Sequence, residues 1–384
     1  MKYKHFKQAL LFKVGSVNKM QKTKPLVTVV VPAYNTASYI GRMLDCIKNQ
    51  TYKNIEVIVI NDGSTDETLS VAKKYADIDN RFTFIDIPNH GVSYARNLGI
   101  EKSHGKKVFF WDSDDVVNVD TIEKCLEYAE KNNVSSVLYG YCDRYNGQDQ
   151  APHKSVLSGQ IFRNDEIVKK VMPNFIGHSF SDVNLWIEGK QPLRYGKEST
   201  ALWHIMCDLD IIKSNNIRFD TGLSLGEDTT FINTYFLYED SIGYLDECFY
   251  HLEQRANGAN LSSITNANKR LTDKTKLVFS RLKIDELAKN VCNRNIHGYW
   301  EGTLIFSALE MALRMSHNPI CSRNVNKVDY LDFMKIDAVK LSVRQFSPSF
   351  GLKALPFMIL KILGPSILFD LCSIIPKKFV KVIV

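Results

Sequence analysis

"VTVVVPAYN", residues 27–35, decides the fold class of this 384-residue chain. Its first five residues, Val27 to Val31, are all β-branched, and Pro32 follows them directly. β-branched residues suit the pleated surface of a strand, and a continuous run of them is typical of a strand buried on both faces. Such strands occur in parallel sheets that helices cover on both sides. The stretch therefore predicts the first strand of an α/β protein.

The residues that follow alternate between helical and strand-like patterns. Apolar residues recur at helical spacing at Ile40, Met43, Leu44 and Ile47, and a second apolar run, 55–60, stops at "NDGS" (61–64). Two further strands are predicted in "RFTFIDI" (81–87) and "KKVFFW" (106–111), with a helix in "GVSYARNLGIEKSHG" (91–105) between them. Strands that alternate with helices at this spacing indicate a mostly parallel central sheet flanked by helices.

The pattern is less regular beyond Val116. "TIEKCLEYAEKNN" (121–133) predicts an amphipathic helix and "VSSVLYGYCDRY" (134–145) a strand. After Tyr250 the periodicity is helical, notably over 267–291 and 300–315. We therefore expect a helical C-terminal region behind the α/β part.

Composition restricts the class of protein and its location. The chain is 45% hydrophobic and 24% charged, as folded soluble proteins are. Its net charge of +7 suits an anionic substrate or an anionic membrane surface and does not argue for a nucleic-acid partner. The eight cysteines form no close pair, which predicts free thiols in a reducing compartment rather than a zinc site or a redox dithiol. The apolar part of the basic segment 1–24 is too short and broken for a signal peptide, so we expect a cytoplasmic protein.

Polar groups follow three of the predicted strands. They are Tyr34-Asn35, Asp62-Gly63-Ser64 and "WDSDD" (111–115). Ligands of open parallel sheets bind outside the carboxyl ends of the strands, so these groups are expected at one edge. Asp62 can accept hydrogen bonds from a base or ribose, and Gly63 allows a tight turn beside it. The alternative is a plain strand-to-helix turn, with Ser64 or Thr65 capping the next helix.

Three closely spaced carboxylates, Asp112, Asp114 and Asp115, end the fourth predicted strand. Hard divalent cations prefer oxygen ligands and are commonly held by one or two carboxylates together with substrate phosphates. A cation also relieves the mutual repulsion of neighbouring carboxylates. The alternative is a helix N-terminus, for which one aspartate is adequate. Three of them after a buried strand favour a metal.

These motifs together resemble a known enzyme family. "VTVVVPAYN", "IEVIVINDGSTDET" (55–68), "NHGVSYARNLGI" (89–100) and "FFWDSDD" (109–115), in this order, are similar to the nucleotide-sugar half of family 2 glycosyltransferases of the bacterial polysaccharide type. Residues 201–238, which contain "GED", resemble the acceptor half of that family. The resemblance implies the glycosyltransferase A fold and ends near Tyr250, so it explains neither the first 24 residues nor the final third.

The resemblance also implies a division of the chain. We expect a basic N-terminal extension over 1–24, a nucleotide-sugar-binding half over 25–118, an acceptor-binding half of the same catalytic domain over 119–255, and a helical C-terminal region over 256–384.

The resemblance implies a role for each matching residue. Pro32, Ala33 and Tyr34 would border the nucleotide base, Asp62 would hydrogen-bond it, and Arg96 would lie near the base or its phosphates. Asp112 would hold the ribose or the metal, and Asp114 would hold an Mn2+ or Mg2+ ion that bridges the diphosphate, with Asp115 as a third member. Asp228 would be the general base and Glu227 its support; an exposed helix cap is the alternative for this pair. We add His251 to the expected metal ligands because it follows a probable strand near the site.

The activity implied is an inverting, metal-dependent transfer of a sugar from a nucleotide-sugar donor, expected to be a UDP-sugar. The acceptor would be a saccharide or a lipid-linked saccharide in surface polysaccharide synthesis. A sugar-nucleotide nucleotidyltransferase is one alternative, although "PAYNTASYIG" (32–41) lacks the glycine-rich, basic phosphate loop of that class. A catalytically silent nucleotide-sugar-binding scaffold is the other.

The C-terminal stretch, "LKALPFMILKILGPSILFDLCSIIPKKFVKVIV" (352–384), is the most apolar part of the chain. Lys361, Asp370 and three prolines interrupt it before the roughly 18 to 20 apolar residues that a spanning helix needs. We expect a segment that lies in the membrane interface, where its lysines meet anionic headgroups on the inner face of the cell membrane. The alternative is packing against the catalytic domain or against a second copy of the chain.

Overall fold

The computed structural model describes residues 24–192, 198–254 and 267–375. Three predictions therefore fall outside the described residues: the extension before residue 24, the part of the acceptor half beyond residue 254, and the lysines near the end of the tail (Lys377, Lys378 and Lys381).

The described chain contains ten strands and thirteen α-helices, with a few short 3-10 or π turns between them. The strands are β1 Val27–Ala33, β2 Ile55–Asp62, β3 Phe82–Ile87, β4 Lys107–Phe110, β5 Val116–Val117, β6 Ser136–Tyr145, β7 Gln148–Asp149, β8 Ile161–Arg163, β9 Ile205–Asp208 and β10 Ser241–Glu253. The helices are α1 Ile40–Lys48, α2 Thr68–Ile78, α3 Val92–Lys102, α4 Thr121–Asn132, α5 Phe180–Ile187, α6 Leu209–Ser214, α7 Glu227–Phe236, α8 Ala267–Cys292, α9 Glu301–Ser316, α10 Arg323–Met334, α11 Asp337–Gln345, α12 Leu355–Ile362 and α13 Pro365–Cys372.

All ten strands belong to one mixed sheet. Its main order is β3-β2-β1-β4-β9-β6-β10-β5, with β7 paired to β6 and β8 paired to β10. The neighbours β3-β2-β1-β4 and the pair β6-β10 are parallel, whereas β9 runs antiparallel to both β4 and β6. The prediction of a mostly parallel central sheet with flanking helices is confirmed, and the sheet continues through both predicted halves of the catalytic domain.

The first strands are buried on both faces, as their apolar runs predict. Every residue of β1 and of β4 is buried. On α1 the four residues at helical spacing, Ile40, Met43, Leu44 and Ile47, are the buried ones. Removing these side chains from water contributes roughly 1.5–3 kcal/mol each. Burial therefore holds β1 and α1 in place, and with them the loop that connects them.

The C-terminal helices pack around α9, which is buried along most of its length. Helices α12 and α13 bury one face, at Phe357, Leu360, Leu368 and Phe369. Phe357 lies edge-on to Trp186 of α5, with ring centroids 6.4 Å apart. Packing on the catalytic domain, our alternative for this segment, therefore accounts for one of its faces. Among the described helices, none combines the length and the apolarity needed to cross a bilayer.

Candidate active site

Side-chain hydrogen bonds join the loops that follow β1, β2 and β4. Asn35, at a φ of 52°, accepts a hydrogen bond from the backbone N–H of Thr65 (2.8 Å) and donates its own N–H to the Ser64 hydroxyl (3.0 Å). The hydroxyls of Thr36 and Ser113 lie 3.0 Å apart. The structure therefore brings together the three polar strand ends that the sequence singles out. The prediction that Ser64 or Thr65 caps a helix is wrong, because α2 begins at Thr68 and Ser64 and Thr65 contact Asn35 instead.

Asp62 organises the loop that leads into α3. Its two carboxylate oxygens accept hydrogen bonds from the backbone N–H groups of His90 (2.7 Å) and Gly91 (2.8 Å). Gly63 beside it has a φ of +70°, and a Cβ there would lie 2.5 Å from the backbone nitrogen of Asn89. Only glycine fits this turn. The carboxylate predicted to contact the base is thus also the group that shapes the neighbouring loop.

The residues predicted to border the base differ in accessibility. Pro32 and Ala33 are buried within β1, where they pair with Ile60 and Asn61 of β2. Tyr34, the next residue, is 50% exposed. Of these three side chains, Tyr34 is therefore the one that a ligand can reach from solvent.

The three aspartates after β4 have different surroundings. Asp112 and Asp114 are half-buried, and the Asp112 backbone N–H donates to the Tyr250 hydroxyl (3.1 Å). Asp115 is buried and accepts hydrogen bonds from the Tyr250 hydroxyl (2.8 Å) and the Glu253 backbone N–H (2.9 Å). Burial, together with the charge of Asp112, raises the pKa of Asp115 to about 7. The helix-cap alternative is wrong, because β5 follows Asp115 and α4 begins only at Thr121.

Arg96 connects the two halves of the site. One terminal nitrogen donates to Asp112 Oδ1 (2.9 Å) and the other to Asp228 Oδ1 (2.8 Å). Glu227 Oε1 lies 3.9 Å from the guanidinium, whose carbon stands 5.3 Å from the centroid of the Phe219 ring. The Arg96 side chain is almost fully buried, so its charge is balanced by these carboxylates rather than by water.

The "GED" segment places both of its carboxylates in the first turn of α7. Gly226 precedes the helix at a φ of +81°, and a Cβ there would lie 2.7 Å from Leu277 of α8. The Asp228 side chain is 18% exposed. Burial is the main reason that the pKa of Asp228 is raised to about 7; the Arg96 charge opposes this shift, while Glu227 and Asp112 add to it. Asp228 is therefore a carboxyl poised near neutral pH at the edge of solvent.

Helix α8 of the C-terminal region braces this turn. Asp273 accepts a hydrogen bond from Ser224 (2.8 Å), and Lys276 donates to the backbone oxygen of Gly222 (2.8 Å). The hydroxyls of Ser280 and Thr230 lie 3.0 Å apart. The helical region thus supports the position of Glu227 and Asp228 on α7.

His251 has polar partners other than the three aspartates that follow β4. Its Nε2 lies 2.8 Å from Asn118 Oδ1, and its Nδ1 lies 3.3 Å from Cys142 Sγ and 3.1 Å from Asp149 Oδ1. These partners come from β6, β7 and the end of β5, and none is an aspartate of the "DSDD" group.

Tyr250 and Phe219 are site residues that the sequence analysis missed. Tyr250 bonds Asp112 and Asp115 through its hydroxyl, and its ring stacks on Trp203 at 4.6 Å with an interplanar angle of 7°. Phe219 lies under Arg96, and its backbone exchanges two hydrogen bonds with the Asn97 side chain. No motif in the sequence around Tyr250 or Phe219 indicates these contacts, which only the neighbours in space reveal.

The carboxylates that follow β4 suit a hard divalent cation. Asp112 and Asp114 present partly exposed carboxylates, and two carboxylates with substrate phosphates are a common arrangement for Mg2+. Asp115 differs, because its side chain is buried. Asp112 and Asp114 are therefore the members of the predicted set whose surroundings suit a metal ligand best.

Comparisons with known proteins agree with this geometry. The family described as "Glycosyl transferase family 2" matches residues 28–181, which include β1 to β4 and the "DSDD" group. The uncharacterized glycosyltransferase EpsJ of Bacillus subtilis is 27% identical over 233 residues, 61% of this chain and 62% of EpsJ. The minor teichoic acid biosynthesis protein GgaB of the same organism is 27% identical over 270 residues, 67% of this chain and 26% of GgaB. The chain thus matches less than two thirds of the length of either relative.

Solved structures show the same fold. The crystal structure of S. aureus TarS 1-349 in complex with UDP-GlcNAc aligns with a TM-score of 0.60, covering 91% of this chain and 90% of that one at 17% sequence identity. At this identity the likeness concerns the fold, and it extends over both predicted halves and the C-terminal helices. By sequence, the likeness to glycosyl transferase family 2 covers residues 28–181 of the chain.

Proposed function

We propose that this protein is an inverting, metal-dependent glycosyltransferase that moves a sugar from a UDP-sugar to a saccharide or lipid-linked saccharide in surface polysaccharide synthesis. The observation that carries the proposal is the Arg96 bridge, which joins Asp112 at the strand ends to Asp228 on α7. A transferase needs its leaving-group site and its base side by side, and this arginine spans the two. The UDP-GlcNAc bound by TarS and the teichoic acid assignment of GgaB support the donor and the pathway class.

Asp228 is the general base in this proposal. The acceptor hydroxyl attacks the anomeric carbon, the bond from that carbon to the diphosphate oxygen breaks, and the hydroxyl proton passes to the Asp228 carboxylate. A single base and a direct displacement invert the anomeric centre. Glu227 and Arg96 hold the carboxylate in place, and a positioned base of this kind contributes typically 10²–10⁴-fold to the rate.

Asp112 and Asp114 would hold an Mn2+ or Mg2+ ion. When bound, the ion stabilises the negative charge that develops on the nucleoside diphosphate leaving group. Tyr34 would border the base and Asp62 would hydrogen-bond it, while Pro32 and Ala33, buried in β1, would hold Tyr34 in position. We leave Asp115 out of this ligand set because it is buried and hydrogen-bonded to Tyr250 and Glu253. We leave His251 out because its ring nitrogens face Asn118, Cys142 and Asp149 instead.

The two alternative functions are less well supported. A nucleotidyltransferase is disfavoured because residues 28–181 match the transferase family. A silent scaffold is disfavoured because a buried arginine and a carboxyl with a strongly raised pKa lie together at this site, and perturbed groups of this kind cluster at functional sites. Consumption of a nucleotide sugar would show that the protein is an enzyme and not a scaffold.

A panel of nucleotide sugars tests the proposal. With Mn2+ present and ligand at about 100 times its Kd, binding adds roughly 2.7 kcal/mol to the free energy of unfolding, so the matching UDP-sugar should raise Tm by several degrees. We expect the same donor to be consumed when an acceptor saccharide is added, with an α-linked donor giving a β-linked product by NMR. If no nucleotide sugar shifts Tm or is turned over with Mn2+ or Mg2+, the proposal fails.

The pKa of Asp228 predicts a pH dependence of transfer. The base must be deprotonated, and a carboxyl with a pKa of about 7 is mostly protonated below that pH. We therefore expect kcat/KM to rise roughly tenfold between pH 6 and pH 8, because this parameter reports the ionisation of the free enzyme. A profile that is flat over this range would contradict the assignment.

We also propose that the protein binds the inner face of the cell membrane peripherally through α12, α13 and the segments beside them. The outer face of this segment is apolar and exposed, and Ile362 on it is 71% exposed. The lysines of this segment, Lys353 and Lys361, donate to the backbone oxygens of Trp186 (3.1 Å) and Phe346 (2.5 Å), so the exposed apolar face is what supports this proposal. The exposed apolar residues are Phe350, Leu352, Leu355, Met358, Ile362, Leu363, Ile367, Leu371 and Ile374.

Vesicle flotation tests this surface. We expect the full chain to float with vesicles that contain anionic lipid, and a chain truncated after Ser349 to remain at the bottom. Ile362→Glu should weaken flotation because it places a charge in the apolar face. Ile78→Glu on α2 is the matched control, because Ile78 is a helical isoleucine that is 67% exposed. If the truncated chain still floats, the proposed membrane surface is wrong. If the chain sediments as a dimer and Ile362→Glu dissociates that dimer, the apolar face is instead a contact with a second copy.

A further inference from the structure

Three potential metal ligands converge at a point remote from the "DSDD" group in the sequence. Cys142, Asp149 and His251 each offer one ligand atom, and the three atoms lie within 4.8 Å of one another. Cys142 is buried, His251 is half-buried and Asp149 is exposed, so the cluster is open to solvent on one side. The proposed transfer reaction uses none of these residues.

Strand pairing creates the cluster. In the parallel pair β6·β10, His251 is the direct partner of Cys142. The tight turn after β6 returns the chain as β7, where Asp149 pairs with Arg144 two residues beyond Cys142. Residues that are separated by about a hundred positions thus become neighbours. The even scatter of cysteines, from which we predicted free thiols and no zinc site, carries no information about this register.

The hydrogen bond between His251 Nε2 and Asn118 determines which ring nitrogen of His251 carries the proton. Asn118 Oδ1 can only accept, so Nε2 of His251, 2.8 Å away, carries a proton. In the neutral imidazole the lone pair is then on Nδ1, the atom that faces Cys142 Sγ and Asp149 Oδ1. A histidine held through its second nitrogen in this way is typical of metal ligands.

Two of the three separations between the ligand atoms are close to those of a tetrahedral site. Zn–S distances of about 2.3 Å and Zn–N or Zn–O distances of about 2.0–2.1 Å put neighbouring ligand atoms about 3.3–3.6 Å apart. The observed separations are 3.3 Å for Cys142 Sγ to His251 Nδ1 and 3.1 Å for Nδ1 to Asp149 Oδ1. The third separation, between Cys142 Sγ and the Asp149 carboxylate, is within 4.8 Å, and Asp149 lies on the exposed side of the cluster.

We propose that Cys142, Asp149 and His251 form a site for a zinc-type transition-metal dication, with solvent as the fourth ligand. One nitrogen, one sulfur and one oxygen suit Zn2+ or Co2+ rather than the hard Mg2+. The ion would tie β6, β7 and β10 together next to Asn118, at the edge of the acceptor half. This inference does not depend on the proposed transferase activity.

The alternative to a bound metal is a second proton on the His251 ring. If His251 carries protons on both nitrogens, Nδ1–H donates to Asp149, which Arg144 also approaches at 3.6 Å. The cluster is then an ion pair with a thiol beside it and binds no metal. Metal binding by the thiolate is the property that separates the two cases.

Co2+ is the probe for this test, because a cysteine thiolate bound to Co2+ gives a charge-transfer absorption in the near ultraviolet that carboxylate ligands do not give. We expect the full chain, reduced and free of other metals, to develop this absorption with one equivalent of Co2+. Cys142→Ser should abolish it. Cys46→Ser is the matched control and should leave it unchanged, since Cys46 is also a free, incompletely exposed cysteine.

A second variant keeps the test decisive if Cys142→Ser does not fold. Asp149→Asn changes an exposed side chain, and we expect it to weaken Co2+ binding by at least roughly the 10- to 100-fold that loss of an outer-shell partner costs. UDP binding with Mn2+ should be the same in the parent chain and in Asp149→Asn, which separates this site from the donor site. Absence of the absorption in the parent chain, its persistence in Cys142→Ser, or unchanged affinity in Asp149→Asn would overturn the proposal.

Discussion

Asp228→Asn is expected to lower the rate of sugar transfer by a factor on the order of 10² to 10⁴ while donor affinity stays the same. Asparagine has the shape of aspartate and still accepts a hydrogen bond from Arg96, but it cannot take the proton of the acceptor hydroxyl. Arg96 keeps Asp112 as an ionic partner in this variant. The measurements are single-turnover transfer and calorimetric titration with UDP in the presence of Mn2+.

Two comparisons separate a base from a structural carboxylate. Asp332→Asn removes an exposed charge from α10 and should leave transfer unchanged. Glu227→Gln alters the weaker neighbour of Arg96, 3.9 Å away, and we expect a smaller loss of rate than for Asp228→Asn. If Asp228→Asn loses donor affinity together with transfer, the residue supports the structure of the site and is not the base.

Asp114→Asn is expected to abolish the Mn2+ dependence of UDP binding. Asparagine is a neutral and weaker ligand, and loss of a direct ligand should cost more than the roughly 10- to 100-fold that loss of an outer-shell partner costs. Calorimetric titration of UDP with and without Mn2+ measures the difference. The same metal dependence in Asp114→Asn and in the parent chain would remove this residue from the ligand set.

Asp115→Asn is the matched control, because it makes the same chemical change one residue away. The Asp115 oxygens accept hydrogen bonds from Tyr250 and Glu253, so the variant should lose roughly 1–3 kcal/mol of stability and keep its Mn2+-dependent binding of UDP. If Asp115→Asn abolishes that binding without a change in Tm, Asp115 is a metal ligand, as the sequence alone suggested.

Most of the fold can be predicted from local pattern. The β-branched runs of β1 and β2, and the apolar spacing on α1, lead directly to elements within two residues of those observed. The antiparallel strand β9 could not be placed in this way, because Ile205–Asp208 is short and its pairing with β4 joins residues a hundred positions apart. The bond between Asn35 and the Thr65 loop was missed for the same reason, and with it the true start of α2.

The composition of the candidate site is predictable to a similar degree. Asp62, Asp112 and Asp114 follow buried strands, and the sheet collects strand ends at one edge. The Arg96 bridge to Asp228 is different, since it depends on how α3 and α7 lie over that edge. The sequence does not distinguish Tyr250 and Phe219 from ordinary core aromatic residues. Their contacts with Asp115 and Arg96 are visible only in the tertiary structure.

The sequence by itself determined the α/β class, the order of the early strands and the positions of the carboxylates along the chain, because these depend on local apolar periodicity and on which residue follows a strand. Only the tertiary structure decided that Asp115 braces β10, that Arg96 joins Asp112 to Asp228, and that His251 faces Cys142 and Asp149. Those relations depend on strand register and helix packing between distant segments, and burial strengthens the contacts of Asp115 and Arg96 by removing the competition of water.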